Sequence, residues 1–407
     1  MYIQGKYASE VTSQDILDLI KNKVRESKSL DYKRELNLGT DKDDKKGKFL
    51  HDVLAMYNTE GGCIIYGIEE EKVKGKNTSY PKEVYGLKIE NFDKLSQQIN
   101  SLIRDYTDPV LSVIEFINLK VEDKDVIILG IPKTQSIPSM NTYGGVNNFP
   151  RRNSSGNHVS TTFELTQMFQ QSLLFKEKSE QFRQQRIKDI RDTKIIPHVL
   201  VNGSTFLHLI PYNFQNELLL NLKSLQALEL EKIKFPFLSA DYYEKRGLSY
   251  NLEGLLAYKS HSKQGYTNYH QYFRNGAIEI YTSNCLSTNE HPDTKNFHSA
   301  TLIRFVVISI YRCQAIFKHF KIEPPYIAYL SLCDLNGLTL IGPNSTCPGK
   351  FSRNEINLPN IVFNSLDLEV KDIFEILHPY FEIIWQAADG EEFPSFEECK
   401  NHFKIIN

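Results

Sequence analysis

Along the first 131 residues, segments with apolar positions at helical spacing alternate with segments at strand spacing. Three segments carry apolar stripes at helical spacing and predict helices: residues 12–24, 48–57 and 92–106. Four segments are alternating or continuously apolar and predict strands: residues 30–36, 63–68, 110–119 and 126–131. Thr12 or Ser13 can cap the first helix. Gly67 inside a buried strand indicates a bulge or a close backbone approach.

The pattern changes after residue 132. Residues 141–156 are rich in Gly, Asn and Ser, which is typical of a loop, and a helix begins near Thr162. Residues 174–194 carry seven Lys/Arg against four Asp/Glu, which favours a polar, exposed helix. We interpret residues 173–195 as a helical connector between domains.

The remainder of the chain mixes helices and hairpins. Two Asn-Gly dipeptides lie between alternating apolar runs and predict hairpin turns, at residues 275–276 and 336–337. Helices are predicted for residues 297–320 and 369–387. The fold class expected is therefore α/β in the mixed α+β sense. We expect a mixed-sheet module at residues 1–172, the connector at 173–195, and an α+β sensor or partner domain at 196–407.

Composition restricts the class of protein. Of 407 residues, 41% are hydrophobic and 24% charged, which is typical of globular domains and excludes wholesale disorder. Lys and Arg total 48 against 50 Asp and Glu, which excludes a globally basic nucleic-acid binder but allows a local basic groove. Six cysteines without a CxxC pair favour free thiols in a reducing cytosol. With no apolar run typical of a signal peptide or membrane span, we expect a cytoplasmic protein without a membrane partner.

Four charged residues near the first two strands are the best candidates for chemistry. Asp31 and Lys33 share one face of the first strand, Glu26 precedes it, and Glu70 follows the second. If the strands are neighbours, the three carboxylates Glu26, Asp31 and Glu70 converge, and such oxygen ligands suit Mg²⁺ or Mn²⁺. Lys33 can then reach a phosphate oxygen. The alternative is a solvated charged face with ion pairs.

A second group of candidates lies in the loop before Thr162. Arg151, Arg152 and His158 stand among Gly, Asn and Ser, a setting that suits contact with phosphates. A plain solvated loop is the alternative. No phosphate-binding P-loop and no GxGxxG motif occurs in the sequence, so nothing in it supports nucleotide binding.

Three stretches together resemble the Schlafen AlbA-2 domain family. They are ESKSLDYK at residues 26–33, AMYNTEGG at 55–62, and IYGIEE at 65–70. The family pattern runs E-S-x-x-x-E-F-K, then A-F-A-N-T-x-G-G, then an apolar strand ending in G-[IV]-x-[DE], and its order and spacing match here. Arg151 and Arg152 before a helix match as well, and the resemblance covers roughly residues 20–170.

The resemblance implies a metal-dependent endoribonuclease acting on structured RNA, with tRNA as the expected substrate. It implies that Glu26, Asp31 and Glu70 hold Mg²⁺ or Mn²⁺ and, with Lys33, form the catalytic group. Asp31 stands where the family usually has Glu, and Glu70 where its nucleases have Asp. It also suggests a bacterial antiviral or stress effector and a homodimer that supplies a second wall to the RNA groove. The alternative is a non-catalytic DNA- or RNA-binding regulator.

Overall fold

The structure is a computed structural model. The structure describes residues 2–3, 6–36, 38–39, 45–111, 114–133, 137–153, 156–192, 203–215, 220–225, 244–261, 265–287, 295–322 and 324–403. Within these ranges helices and mixed sheets alternate, which confirms the α/β fold class. The chain divides into two compact units, Met1–Leu174 and Phe175–Asn407.

The elements are numbered in chain order. The α-helices are α1 Ser13–Lys21, α2 Lys45–Tyr57, α3 Phe92–Tyr106, α4 Thr162–Arg191, α5 Ser299–His319, α6 Val370–Gln386 and α7 Phe396–Cys399. The strands of the first unit are β1 Tyr2–Ile3, β2 Lys6–Tyr7, β3 Leu30–Lys33, β4 Gly62–Tyr66, β5 Ile68–Val73, β6 Lys76–Val84, β7 Thr107–Asp108, β8 Glu115–Val121, β9 Lys124–Ile131, β10 Met140–Asn141, β11 Pro150–Asn153 and β12 Gly156–Val159. The strands of the second unit are β13 Ser204–Pro211, β14 Glu244–Tyr250, β15 Gly254–His261, β16 Gly265–Phe273, β17 Ile278–Thr282, β18 Leu286–Ser287, β19 Asn296–His298, β20 Tyr326–Cys333, β21 Thr339–Ile341, β22 Glu355–Asn357 and β23 Ile361–Phe363.

A four-stranded sheet in the order β3-β4-β9-β8 forms the centre of the first unit. β3 runs parallel to β4, whereas β9 is antiparallel to both β4 and β8. Successive side chains of β4 point to opposite faces: Ile64 packs with Leu54 of α2 and Ile103 of α3, and Ile65 packs with Leu19 of α1. Both faces of the sheet are therefore covered, which explains why β4 reads as a continuously apolar run.

Glycines set the path of the chain on either side of β4. At Gly62, with φ +137°, an added Cβ would lie 2.0 Å from the carbonyl oxygen of Ser29, so only glycine allows β4 to begin beside β3. At Gly67, with φ +96°, the amide donates to the carbonyl of Lys33 over 2.7 Å. The sequence-based expectation of a close backbone approach at Gly67 is confirmed. Gly67 separates β4 from β5, so the expected single strand at 63–68 is two elements.

The second unit is built on a large antiparallel sheet. Its strand order is β14-β15-β16-β17-β13-β20-β22, and β23 also pairs with β20. One face carries α5 and α6, where Leu207 and Leu209 of β13 join the main core. On the other face, residues 175–191 of α4 pack through Phe182 and Ile190. The segment expected as a connector is thus part of one continuous helix to Arg191, and residues 193–195 lie outside the described ranges.

Two further expectations for this unit have different outcomes. The dipeptide 275–276 connects β16 to β17, which pair antiparallel, so that hairpin is confirmed. The dipeptide 336–337 is a turn, but the hairpin expected there is wrong, because β20 pairs within the large sheet and β21 pairs in parallel with β19.

Helix α5 is long and apolar enough to cross a membrane by length and composition, yet 67% of its most apolar window is buried inside the structure, as in a core helix.

Candidate functional site

Asp31 on the edge strand β3 is the centre of a cluster of charged side chains. The pleat places Asp31 and Lys33 on one face, and Tyr32 between them packs on the other face, where its hydroxyl donates to the Val24 carbonyl. Asp31 is only 2% exposed, and Lys33 Nζ lies 2.8 Å from its Oδ2. Burial by itself would raise the pKa of Asp31, but Lys33 and Arg152 together lower it, so Asp31 is a stable carboxylate.

Arg152 reaches Asp31 from the β11–β12 hairpin. Its guanidinium donates to Asp31 Oδ1 over 2.7 Å and to the Ser27 carbonyl over 3.1 Å. The side chain is 9% exposed. The exposed, phosphate-contacting position that the sequence suggested for Arg152 is therefore not what the structure shows, because its charge is already used to neutralise Asp31.

The NTEGG segment after α2 fixes that hairpin in place. Asn58 Nδ2 donates to the carbonyls of Ser139 and Pro150, and Asn58 Oδ1 accepts from the Ser139 amide. Thr59 Oγ1 accepts from the Arg152 amide over 2.9 Å. The segment therefore has a structural role: it holds β11 at the distance from which Arg152 contacts Asp31.

Glu26 contributes a partly buried carboxyl with a raised pKa. Its Oε1 accepts from the Tyr32 amide over 3.0 Å, and its own amide donates to the Ser79 carbonyl over 2.8 Å. Burial, with the neighbouring charge of Asp31 as the next cause, raises the pKa of Glu26 to about 7. The helix-to-strand corner expected before β3 thus folds back and brings Glu26 beside Asp31.

Glu70 lies near this pair, though on a different element from the one expected. It belongs to β5, which pairs with β6 and not with the central sheet, and Asn77 Nδ2 donates to its Oε1 over 2.9 Å. Burial raises the pKa of Glu70, against the lowering effect of Lys33. The three carboxylates and Lys33 named from the sequence therefore lie close enough to influence one another electrostatically.

Asp52 is a further member that sequence reasoning missed. Its Oδ2 lies 3.6 Å from Lys33 Nζ, and its Oδ1 accepts from Asn157 Nδ2 over 2.6 Å. Burial raises its pKa. The signal was present: on α2, Asp52 follows Phe49 by three positions and precedes Met56 by four, so a carboxylate sits within the apolar stripe of the helix.

Arg151 and His158, the other basic candidates, point to a different acidic group. Arg151 lies opposite His158 on the β11–β12 hairpin, and both side chains contact Glu164 in the first turn of α4, over 3.4 Å and 3.1 Å. Hydrogen bonds from Thr161 and then from His158 lower the pKa of Glu164 to about 2. The structure therefore separates these two bases from the cluster around Asp31.

The donor chemistry of the cluster suits a divalent metal, but its arrangement does not form a ready site. Among the described residues, no three Asp, Glu, His or Cys side chains are grouped so that they could hold one metal ion. Lys33 and Arg152 contact both oxygens of Asp31, so an ion bound there would have to displace one of them. As it stands, the arrangement offers Glu26, a carboxyl whose pKa is raised to about 7, beside the ion-paired carboxylate of Asp31.

Comparisons with known proteins agree with the resemblance seen in the sequence. Residues 26–160 match the family model described as Schlafen, AlbA_2. Among solved structures, the N-terminal domain of a RecG-related protein from Nitrosomonas europaea is 17% identical, with a TM-score of 0.27, covering 37% of this chain and 95% of its own. The DIP2311 protein from Corynebacterium diphtheriae is 16% identical, with a TM-score of 0.26, covering 39% of this chain and 28% of its own. No curated protein matches the chain.

Residues 26–160 are therefore similar to a Schlafen AlbA_2 domain, and we refer to this part of the chain as the AlbA_2 domain. The family match contains Glu26, Asp31, Lys33, Glu70 and Arg152, so the whole charged cluster lies within it. This family match indicates a function related to nucleic acid.

Proposed function

We propose that the Schlafen AlbA_2 domain binds structured RNA and cleaves its backbone at the cluster around Asp31. The observation that supports this most strongly is Glu26, a carboxyl with a pKa raised to about 7, placed beside Asp31, which is itself paired with the cations of Lys33 and Arg152. A group that titrates near neutral pH can exchange a proton with an attacking or leaving oxygen. Nearby cations can stabilise the charge that develops on the phosphate.

The residues take separate roles in this proposal. Glu26 moves the proton, and Lys33, whose side chain is 35% exposed, turns from Asp31 to a phosphate oxygen. If Mg²⁺ or Mn²⁺ is needed, Glu26, Asp31 and Glu70 would hold it, and the ion would supply further charge neutralisation at the phosphate. Because Asp31 would first have to give up Lys33 or Arg152, we expect such an ion to bind only with the substrate.

A transfer RNA is the substrate that we propose first, and a second copy of this chain is the partner. One AlbA_2 domain supplies one wall of a groove, and a twofold dimer would supply the other. Light scattering at micromolar concentration should give the mass of a dimer. A monomer that still cleaves RNA would contradict the dimer without affecting the proposed chemistry.

Cleavage of a mixed tRNA pool, with Mn²⁺, with Mg²⁺ and with EDTA, tests the activity. We expect Glu26→Gln to lower the rate by about 100-fold or more, the usual contribution of an acid–base group, and Glu70→Gln to lower it as well because Glu70 would help to hold the metal. Glu69→Gln is the matched control, because Glu69 is adjacent in sequence but pairs with Arg34. Full activity in both Gln variants would contradict the assignment, and loss of activity in EDTA would support a metal.

A binding regulator that does not cleave is the second candidate. It is favoured by the ion pairs of Asp31, which already neutralise this carboxylate, and by the lack of a three-ligand metal group among the described residues. The same experiment separates the two functions. RNA that is bound but remains intact in Mn²⁺, Mg²⁺ and EDTA would support the regulator.

A further inference from the structure

The β5–β6 hairpin has a polarised distribution of charge. Its acidic residues lie at the base and its lysines at the tip: Glu69, Glu70 and Glu71, followed by Lys72, Lys74 and Lys76. The acidic residues are paired at the base, since Glu69 contacts Arg34 over 3.3 Å and Glu71 contacts Lys23 over 3.4 Å. Among the described side chains of the tip, Lys72 and Lys74 therefore carry positive charge that no acidic residue of the hairpin contacts.

The lysines of the tip are presented to solvent. Lys72 and Lys74 are exposed, and neither forms an ion pair within the described part of the chain. Val73 beside them is 56% exposed. Val73 pairs with Lys76, so Lys74 and Gly75 form a two-residue turn with φ +51° and +78°. Asn, Asp or Gly usually occupies the first position of such a turn, and here it holds a lysine.

The base of the hairpin is tied directly to the cluster around Asp31. The Glu26 amide donates to the Ser79 carbonyl of β6, and the Gly67 amide before β5 donates to the Lys33 carbonyl. Lys74 is four residues beyond Glu70 along the hairpin, which corresponds to about 13 Å at strand spacing. The hairpin thus extends outward from the site and carries Glu70 at one end and lysines at the other.

Electrostatics indicates what this tip contacts. The cluster contains four carboxylates, Glu26, Asp31, Asp52 and Glu70, against the cations of Lys33 and Arg152. A polyanion that approaches the cluster is therefore repelled unless positive charge is available nearby. The tip lysines supply that charge on the same element as Glu70.

We infer that the β5–β6 hairpin grips a nucleic-acid backbone, with Lys72 and Lys74 contacting phosphates while the base presents Glu70 to the same strand. This rests on the proposed RNA-binding function. Such contacts position the nucleic acid without reading its sequence, so different RNAs should depend on them equally.

Binding of the full chain to a fluorescently labelled tRNA pool, in EDTA and over a series of salt concentrations, tests the inference. In the variant Lys72→Gln with Lys74→Asn, the Asn suits the left-handed turn position, so the hairpin should be kept. Loss of two phosphate contacts should reduce the slope of log affinity against log salt by about 1.4 to 1.8. The control, Lys88→Gln with Lys94→Gln, removes the same charge from two exposed lysines elsewhere in the domain and should leave the slope unchanged.

The outcomes separate the two proposals. If the wild-type chain binds and the hairpin variant keeps its slope, the hairpin inference is overturned and RNA binding stands. An equal loss of slope in both double variants also overturns it, because the effect would then be one of net charge. If the wild-type chain binds neither tRNA nor single-stranded RNA, the proposed function fails, and this inference with it.

Discussion

Each unit of the protein buries a group of charged side chains, and the two groups differ in how fully their charges are matched. In the second unit, the carboxylate of Glu279 is enclosed and fully paired. In the AlbA_2 domain, the carboxylates around Asp31 outnumber the cations, and the group is partly open to solvent. The first arrangement is that of a structural anchor, whereas the second leaves charge available for a ligand.

The anchor in the second unit joins α4 to the large sheet. Arg186 donates from Nε and one terminal nitrogen to the two oxygens of Glu279, over 2.9 Å and 2.7 Å. His208 Nε2 lies 3.0 Å from Glu279 Oε2, and the Tyr269 hydroxyl donates to Oε1. Burial alone would raise the pKa of Glu279, but Arg186 lowers it far below its usual value. Every partner stabilises the same charged state.

In the cluster of the AlbA_2 domain, the neighbouring groups do not all stabilise the charged state of the carboxyls. The pKa values of Glu26, Asp52 and Glu70 are all raised, mainly by burial, while that of Asp31 is lowered by its two cations. Opposite shifts among adjacent carboxyls are typical of functional sites, although structural networks also produce them. Four substitutions can break or sharpen this contrast.

Arg186→Met should have the largest effect. It leaves Glu279 charged and buried without its main partner, which should lower the free energy of unfolding by about 3–5 kcal/mol. Trp385 is the single tryptophan and is buried in the core of the second unit, so its fluorescence during urea unfolding reports on that unit. The control Arg191→Met removes a partly exposed pair with Asp334 and should cost about 1 kcal/mol or less. Equal effects of the two variants would contradict the anchor.

Asp31→Asn should be the next most disruptive. Removing one charge from a group of mutually repelling carboxylates need not lower stability, but Asp31 neutralises Lys33 and Arg152. Since Lys33 can still reach water, we expect a loss of about 2–3 kcal/mol. Hydrogen exchange of the β3 and β4 amides measures this loss of stability. Glu69→Gln is the control, for which we expect almost no change in exchange. Unchanged or slower exchange in Asp31→Asn would show that repulsion among the carboxylates outweighs the ion pairs of Asp31.

Glu26→Gln should change the pH dependence of stability. The pKa of Glu26 is raised in the folded state, so its favourable contribution is complete below its unfolded pKa near 4.5 and is lost as the pH rises through about 7. The loss is about 3 kcal/mol at most, and about 1–2 kcal/mol after screening by water at this partly exposed site. Hydrogen exchange across this pH range should show that the stability of the wild-type domain falls as the pH rises, whereas the stability of Glu26→Gln should not fall in this way. A parallel fall in both would exclude Glu26 as its source.

Arg151→Ala should have the smallest effect. Because Glu164 engages Arg151, we expect the salt slope of RNA binding to fall by less than about 1. Arg152→Ala should instead remove one of the two cations that are paired with the buried Asp31 and act mainly on stability. If Arg151→Ala lowered the slope as much as the hairpin variant, the basic loop would be a phosphate-binding surface after all.

Much of the local structure followed from the sequence alone. Helix α3 begins and ends where its apolar stripe predicted, and Thr12 caps α1 through the reciprocal contact with Asp15. The strand period placed Asp31 and Lys33 on one face, and their ion pair confirms it. These features depend on neighbours within a few positions, so periodicity and capping rules are enough to predict them.

The charged cluster, by contrast, was decided by tertiary structure. Arg152 reaches Asp31 across 121 positions of sequence, and Asp52 meets Lys33 because α2 packs over the sheet. Glu70 entered the cluster on a separate hairpin after Gly67 turned the chain. The sequence by itself determined which charges this protein carries and on which face of each element they lie. Only the fold decided which charges meet and how far from water, because pairing and desolvation depend on distances that local patterns do not contain.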